Sequence, residues 1–280
     1  SSDNITWSST FTPTFPNTED WTNTLSLATS YTDTVGNPGT VATSPNYMVD
    51  DNDPSGTPSL TLSRSLLLYN ETMTVTLVFP EPVASFSSDD DITADNGVLN
   101  NMTSSDNITW TGIFRPTTTS TTTEDASNTI SLGNSWTDTV GNPGTVATSA
   151  NYEVETLRPT ASSFTFSVTQ GTTYNGIPSS YSGTPGLKPF DNATLTVVFS
   201  EPVVSFSSAN ITHPNVDLDN MTSSDNITWT GTFTPNDDIQ LSKQRLTLNN
   251  IYEDIKGNSG FGKYSLYYMV DTKAPSVLSL

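Results

Sequence analysis

Three kinds of acidic residue recur at matching places along this chain, and their shared chemistry is that of hard oxygen ligands. One follows a valine in "VDDNDP" (49–54), "VETLRP" (154–159) and "VDTKAP" (270–275), giving Asp50, Glu155 and Asp271, each with a proline four residues on. A second is the glutamate of "FPEPVASF" (79–86) and "FSEPVVSF" (199–206), Glu81 and Glu201. The third is the aspartate of the "TDTVGN" turns, Asp33 and Asp138, with Asp254 in the looser copy "EDIKGN". Ca²⁺ takes six to eight oxygens at about 2.3–2.6 Å, some of them backbone carbonyls, so carboxylates gathered where two domains meet suit it. Asp51 and Asp53 add to Asp50 and Glu81 at the first hinge. Without a cation such a cluster repels itself; with one it locks the hinge and stabilises the folded array in proportion to occupancy. The same acids also read as solvent-facing turn residues, because Asp bonds its own backbone in turns, and the sequence leaves both readings open. At the second hinge Glu replaces Asp and "TLR" replaces "DND", so Arg158 is the expected cationic partner there.

Other chemistries find little support. The one histidine, His213 in "ITHPNVD", faces Ala94 at the corresponding place of the other full repeat and reads as a surface residue. No HExxH motif and no Gly-rich phosphate loop occurs, so the chain is not expected to be an enzyme. With 29 acidic against 9 basic residues and a net charge of −20, a nucleic-acid backbone would be repelled. Charged residues make up only 14% of the chain, and Thr, Ser and Asn stand where Lys and Glu usually cover a surface, which predicts an extracellular setting. No cysteine is present to staple it. N-x-[ST] sequons at Asn4, Asn70, Asn101, Asn107, Asn192, Asn210, Asn220 and Asn226 are the expected glycosylation sites, and "TTTSTTTE" (117–124) is either O-glycosylated or a polar hairpin loop. No apolar run is long enough to insert this segment in a membrane.

These acids are placed by a tandem repeat of domain length. "SSDNITW" stands at 1–7, 104–110 and 223–229, and "YTDTVGNPGTVATSPNYMV" (31–49) returns as "WTDTVGNPGTVATSANYEV" (136–154) and, more loosely, at 252–270. Starting each module at its hinge acid gives full repeats at 50–154 and 155–270, the C-terminal half of a repeat at 1–49, and the first strand of another at 271–280. Starting and ending out of phase predicts a window on a longer array, with exchange of strands between subunits as the alternative. "TMTVTLVF" (72–79) and "ATLTVVFS" (193–200) alternate with the period of a half-buried strand. "NITWTGIF" (107–114) and "NITWTGTF" (226–233) put Trp110 and Trp229 at the head of a core face. About seven short strands per repeat, separated by Gly, Pro, Asn and Asp turns, predict an all-β chain of tandem immunoglobulin-like sandwiches, in which each Trp packs on aliphatic neighbours in place of a disulfide; a barrel or jelly roll is the alternative. The second full repeat carries an insertion near 170–190, "QGTTYNGIPSSYSGTPGLKPF", read as a surface loop whose Tyr174 and Tyr181 either contact a sugar or protein or pack on their own domain.

Taken together, "V-D-x-x-x-P", "F-S-E-P-V-x-x-F", "S-S-D-N-I-T-W-T-x-x-F-x-P" and "Y-T-D-x-x-G-N-x-G" resemble the bacterial Ig-like repeats of giant secreted adhesins and surface filament proteins. The resemblance covers essentially the whole chain. It implies extender modules on the cell surface or in a secreted appendage, stiffened by Ca²⁺ at their junctions, with adjacent repeats as partners. It also marks Asp50, Asp53, Glu81, Asp138, Glu201, Asp254 and Asp271 as junction residues. Glu155 and the insertion depart from that pattern, and the sequons suit a glycosylated sheath.

Overall fold

The repeated heptad is a turn that caps itself before it becomes a strand. Asp106 Oδ1 accepts the backbone N–H groups of Ile108 (2.9 Å) and Thr109 (2.8 Å), while Asn107 takes a φ of +58°, a left-handed conformation that asparagine tolerates. Asp225 does the same for Ile227 and Thr228, and Asp3 for Ile5 and Thr6. Because those bonds favour the charged carboxylate, Asp106 and Asp225 titrate below the usual aspartate value. The strands that follow, Thr109–Pro116 and Thr228–Pro235, are central in their sheets.

The computed structural model describes residues 3–14, 19–117, 124–169, 180–181 and 184–278. Their regular secondary structure is strand, joined by turns and irregular segments, apart from a one-turn helix at Ser88–Asp91 and a 3₁₀ turn at Ser208–Asn210. The chain forms two compact units. One comprises Ser1–Ser65, Thr72–Arg115 and Ser127–Tyr152; the other comprises Leu66–Glu71, Pro116–Ala126 and Glu153–Leu280.

In the first unit a four-stranded antiparallel sheet runs Ser59–Leu62, Met73–Val78, Thr109–Pro116, Gly97–Leu99. Met73, Val75 and Leu77 point inward from one strand and Gly112 and Phe114 from the next, with Thr on the outer face, as period-two patterning requires. Ile130 and Leu132 are buried on the strand Ile130–Leu132, which pairs with Ile92–Ala94 and Ala147–Thr148. Residues 1–49 contribute two two-stranded ladders, and none of their described residues is buried.

The second unit repeats the plan with Ala161–Thr169, Asn192–Phe199, Thr228–Pro235 and Val216–Leu218 in one sheet. A second sheet joins Ser180–Tyr181, Thr184–Leu187, Tyr268–Asp271 and Gln240–Gln244. Its core holds Leu195, Val197, Phe199, Phe233, Leu248, Tyr252 and Val270. Part of the expected 170–190 loop is therefore strand: Thr184–Leu187 pairs in parallel with Tyr268–Asp271, and Leu187 is buried because its register, opposite Val270, turns it into the core. Residues 170–179, including Tyr174, residues 182–183, the side chain of Tyr181 and most of "TTTSTTTE" lie outside the described residues.

The tryptophans have aromatic neighbours as well. Trp110 and Trp229 are half-buried, and each packs edge-on against a phenylalanine, Phe86 at 4.9 Å and Phe206 at 5.2 Å, while Trp229 also packs against the core cluster of the second unit. The ring at the centre of the first unit is Trp136, fully buried against Phe79 at 4.6 Å, and Tyr252 takes its place in the second against Phe199 at 4.7 Å. Each lies flat on the last glycine of its "GNxG" turn: a Cβ on Gly144 would stand 2.0 Å from the Trp136 ring, and one on Gly260 would stand 2.1 Å from Tyr252. Gly141 is needed for a different reason, its φ of +104°, and has open space around it. Gly144→Ala should therefore overpack a buried ring and cost about 1–3 kcal/mol, more than Gly141→Ala, which strains only the backbone. Urea unfolding of the two variants measures this; an equal or smaller loss at Gly144 would contradict the packing argument.

Candidate functional site

Each "TDTVGN" turn is organised around its aspartate. Asp138 Oδ1 accepts the N–H groups of Val140 (2.9 Å), Gly141 (2.7 Å) and Asn142 (2.9 Å), and Asp138 Oδ2 accepts Asn142 Nδ2 (2.9 Å). Asp254 is bonded identically by Lys256, Gly257 and Asn258. Burial opposes the charge on Asp138, but the four bonds outweigh it and its carboxyl sits below the usual value. Asp33 makes the exposed version of this turn, with Val35 and Asn37 as donors, and no other predicted acid stands among its partners. It is a turn residue.

The asparagine that closes the turn reaches the hinge. Asn258 Nδ2 donates to the backbone oxygen of Glu155 (3.2 Å) and to Glu155 Oε2 as well as to Asp254, while its Oδ1 accepts the N–H of Tyr69 (2.8 Å). Asn142 Nδ2 makes the weaker counterpart, 3.4 Å from the backbone oxygen of Asp50.

Around these stitches the corner glutamates complete two matching groups, one in each unit. In the first, Glu81 is near Asp138, Asp50 and Glu19; burial chiefly, and those charges next, push its carboxyl up against the pull of the Ser55 N–H. In the second, Glu155 is pushed up to about 7, first by burial and then by Asp254, Glu124 and Glu201. Glu201 is likewise pushed to about 7 by burial, Asp254 and Glu124. Its Oε1 is buried with no hydrogen-bond partner among the described residues. Among the described residues no three His, Cys, Asp or Glu side chains converge as a ready-made ligand set.

Glu19 and Glu124 were not singled out by the sequence reading. Glu19 lies directly opposite Asp50 in the Glu19–Asn23/Tyr47–Asp50 ladder, an unfavourable like-charge pair. The equivalent pair opposite Asp271 has Gln240, so the charge is relieved there. The signal was present in "TEDWTNT" and "TEDASNT", which align one period apart. Asp53 is exposed, Asp51 and Asp271 are half-buried, and neither Asp53 nor Asp271 is among the acids that raise Glu81, Glu155 or Glu201.

Arg158 departs from expectation. Its guanidinium donates to the backbone oxygens of Ser259 (2.6 Å) and Gly260 (2.9 Å) and stacks on Phe261 (3.9 Å) and Tyr69 (4.9 Å), so it clamps a loop and pairs with no carboxylate among the described residues. Asn4, Asn70, Asn101, Asn107, Asn192, Asn220 and Asn226 are exposed, whereas Asn210 is buried and accepts the Ser207 N–H at 2.7 Å; it is a capping residue in the fold rather than a free acceptor for sugar. His213 is half-buried in a turn, its Nδ1 2.9 Å from the Val216 oxygen. Among the described residues no helix is long and apolar enough to cross a membrane.

A family model for the bacterial Ig-like domain matches residues 51–154 and 181–270. The chain belongs to the bacterial Ig-like domain family. No curated protein matches it. Ig-like domains of this kind are structural and non-catalytic, and Glu81, Glu124, Asp138, Glu201 and Asp254 fall within the matched residues. In these Ig-like repeats the raised carboxyls have a defined effect on stability. Glu155 and Glu201 bind protons more tightly when folded, so their contribution is fully present below about 4.5 and is lost as pH rises through about 7. In chelator, the melting temperature should fall between about pH 5 and pH 8, with a shallower fall in Glu201→Gln. Thermal melts across that range check it; a flat or rising curve would contradict the burial of these charges.

Proposed function

We propose that this chain is an extender segment of an extracellular adhesin or glycosylated surface filament, and that Ca²⁺ held by the acidic groups stiffens it. The observation that carries the reading is the recurrence, one repeat apart, of four acids in equivalent places: Glu19, Asp50, Glu81 and Asp138, then Glu124, Glu155, Glu201 and Asp254. A single acid of this sort is a turn former; a corner glutamate whose charge is opposed by burial and by neighbouring acids, in both units, is better explained by a ligand that offsets that opposition. The reading is supported by Glu201 Oε1, buried without a hydrogen-bond partner among the described residues, and by the two carboxyls that burial and neighbouring acids push to about 7, a donor set that a cation would neutralise. Calcium, a hard cation that tolerates irregular oxygen shells, fits the donor set, with Glu155 and Glu201 as the residues that would hold it in the second unit. Asp254 is committed largely to its own turn. When bound, the ion supplies charge neutralisation and cross-linking, and no chemistry on a substrate.

A surface setting is supported by the low content of charged residues and the exposed sequons. The tandem repetition of a non-catalytic Ig-like fold suits a spacer. Calcium should raise the melting temperature and the maximum dimension in X-ray scattering, chelator should reverse both, and Glu81→Gln with Glu201→Gln should remove the response. A profile and melting temperature indifferent to calcium would overturn the proposal.

A further inference from the structure

The last repeat carries a surface feature that the preceding repeat lacks. Lys243 and Arg245 run beside Tyr264, Leu266 and Tyr267, in register through the Leu246 N–H bond to Ser265 Oγ (2.9 Å) and the Ser265 N–H bond to the Leu246 oxygen (3.0 Å). Leu246 and Tyr268 point into the core, leaving the other five outside. Tyr264 is 58% exposed, Leu266 70% and Tyr267 44%. Arg245 lies over the Tyr264 ring at 3.6 Å and within 5.8 Å of Tyr267, and Lys243 lies over Tyr267 at 4.3 Å. In the first full repeat the aligned residues are Ser127, Thr129, Thr148, Ala150 and Asn151, and in residues 1–49 they are Thr22, Thr24, Thr43, Pro45 and Asn46. All five positions have changed together, from small and polar to cationic or large and apolar. An extender needs no such change.

Both cations stand without carboxylate partners among the described residues, and neither side chain donates a hydrogen bond to the protein, although the chain has 29 acids to offer. The rings hold the charges in place instead. A guanidinium stacked on a ring loses rotamer freedom and keeps its in-plane N–H donors for a carboxylate or sulfate.

We propose that this strip binds an acidic oligosaccharide, its ring seated on Tyr264 and Tyr267 and its carboxylate or sulfate paired with Arg245 and Lys243. Charge complementarity and size select this occupant. Five side chains fall well short of the roughly 800 Å² per partner that a stable protein interface buries, but they match a few sugar rings, and unpaired cations fixed on aromatic faces favour an anionic sugar over a neutral one. A second copy of this chain, at a net charge of −20, is repelled.

Titration of the full chain with hyaluronan oligosaccharides, whose glucuronates carry carboxylates, tests the proposal. Chelator is present so that calcium cannot bridge, and physiological salt limits the range of the overall negative charge to about 8 Å. Chitin oligosaccharides serve as the neutral sugar and polyglutamate as the polyanion without rings. Saturable hyaluronan binding, weakened at least about tenfold by Arg245→Gln and by Tyr264→Ala with melting temperatures unchanged, is the expected result. Absence of hyaluronan binding, affinity unmoved by those variants, or equal binding of chitin or polyglutamate would overturn it. If a variant unfolds, Lys243→Gln at the open end of the strip gives the same comparison.

Discussion

A buried carboxylate must be neutralised by whatever surrounds it, and in these repeats the neutralising groups belong to the backbone of a single turn. Asp138 and Asp254 each draw three N–H groups and one asparagine amide onto themselves, which closes the Asp-x-x-Gly-Asn turn and fixes the glycine in its left-handed conformation. The asparagine then has one amide proton to spare, and it is spent on the hinge: Asn258 on Glu155, Asn142 on Asp50. One local interaction therefore sets where the repeat begins relative to where it ends. The aromatic ring two residues before the turn's aspartate, Trp136 or Tyr252, is seated by the same loop, on the glycine that follows. Core and seam share one anchor.

That anchor carries an electrostatic burden. Glu81 and Glu201 sit on the corner beside the turn, and Glu19 and Glu124 come from the segment one repeat earlier, so each seam gathers acids that the hydrogen bonds do not satisfy. In the first unit the burden is lighter: Ser55 supports Glu81, and the hinge acid is the shorter aspartate. In the second, Glu155 is inserted against Asn258 and Glu201 is left with a bare oxygen. The seams are thus not equivalent. The Lys256 ion pair with Glu153 at 2.6 Å, absent where Val140 replaces Lys256, supplies a positive charge close to the heavier one.

Much of this was legible in the residues. Alternation in "TMTVTLVF" places Met73, Val75 and Leu77 inward, and the repeats with their turn punctuation imply Ig-like sandwiches. Glu81 and Glu201 stand out in the sequence because they recur beside a proline corner. Glu19 and Glu124 were missed because a cross-strand neighbour is set by ladder register, which spacing along the chain does not reveal. Arg158 departs from expectation for a related reason: three residues from Glu155 in sequence, its long side chain turns to two carbonyls and two rings instead. Trp110 and Trp136 look alike in composition, but only the one beside the glycine turn is enclosed. The sequon at Asn210 is formally intact, yet its side chain is consumed by a cap.

The claim that a carboxylate–amide stitch holds the ends of the second full repeat together is tested most directly by a double-mutant cycle on Asn258→Ala and Glu155→Ala. Urea unfolding of the wild type, both single variants and the double variant, at neutral pH in chelator, gives the coupling. The account predicts an interaction energy of about 1 kcal/mol or more. Losses that simply add, to within about 0.5 kcal/mol, would mean that the two side chains are neighbours without being partners.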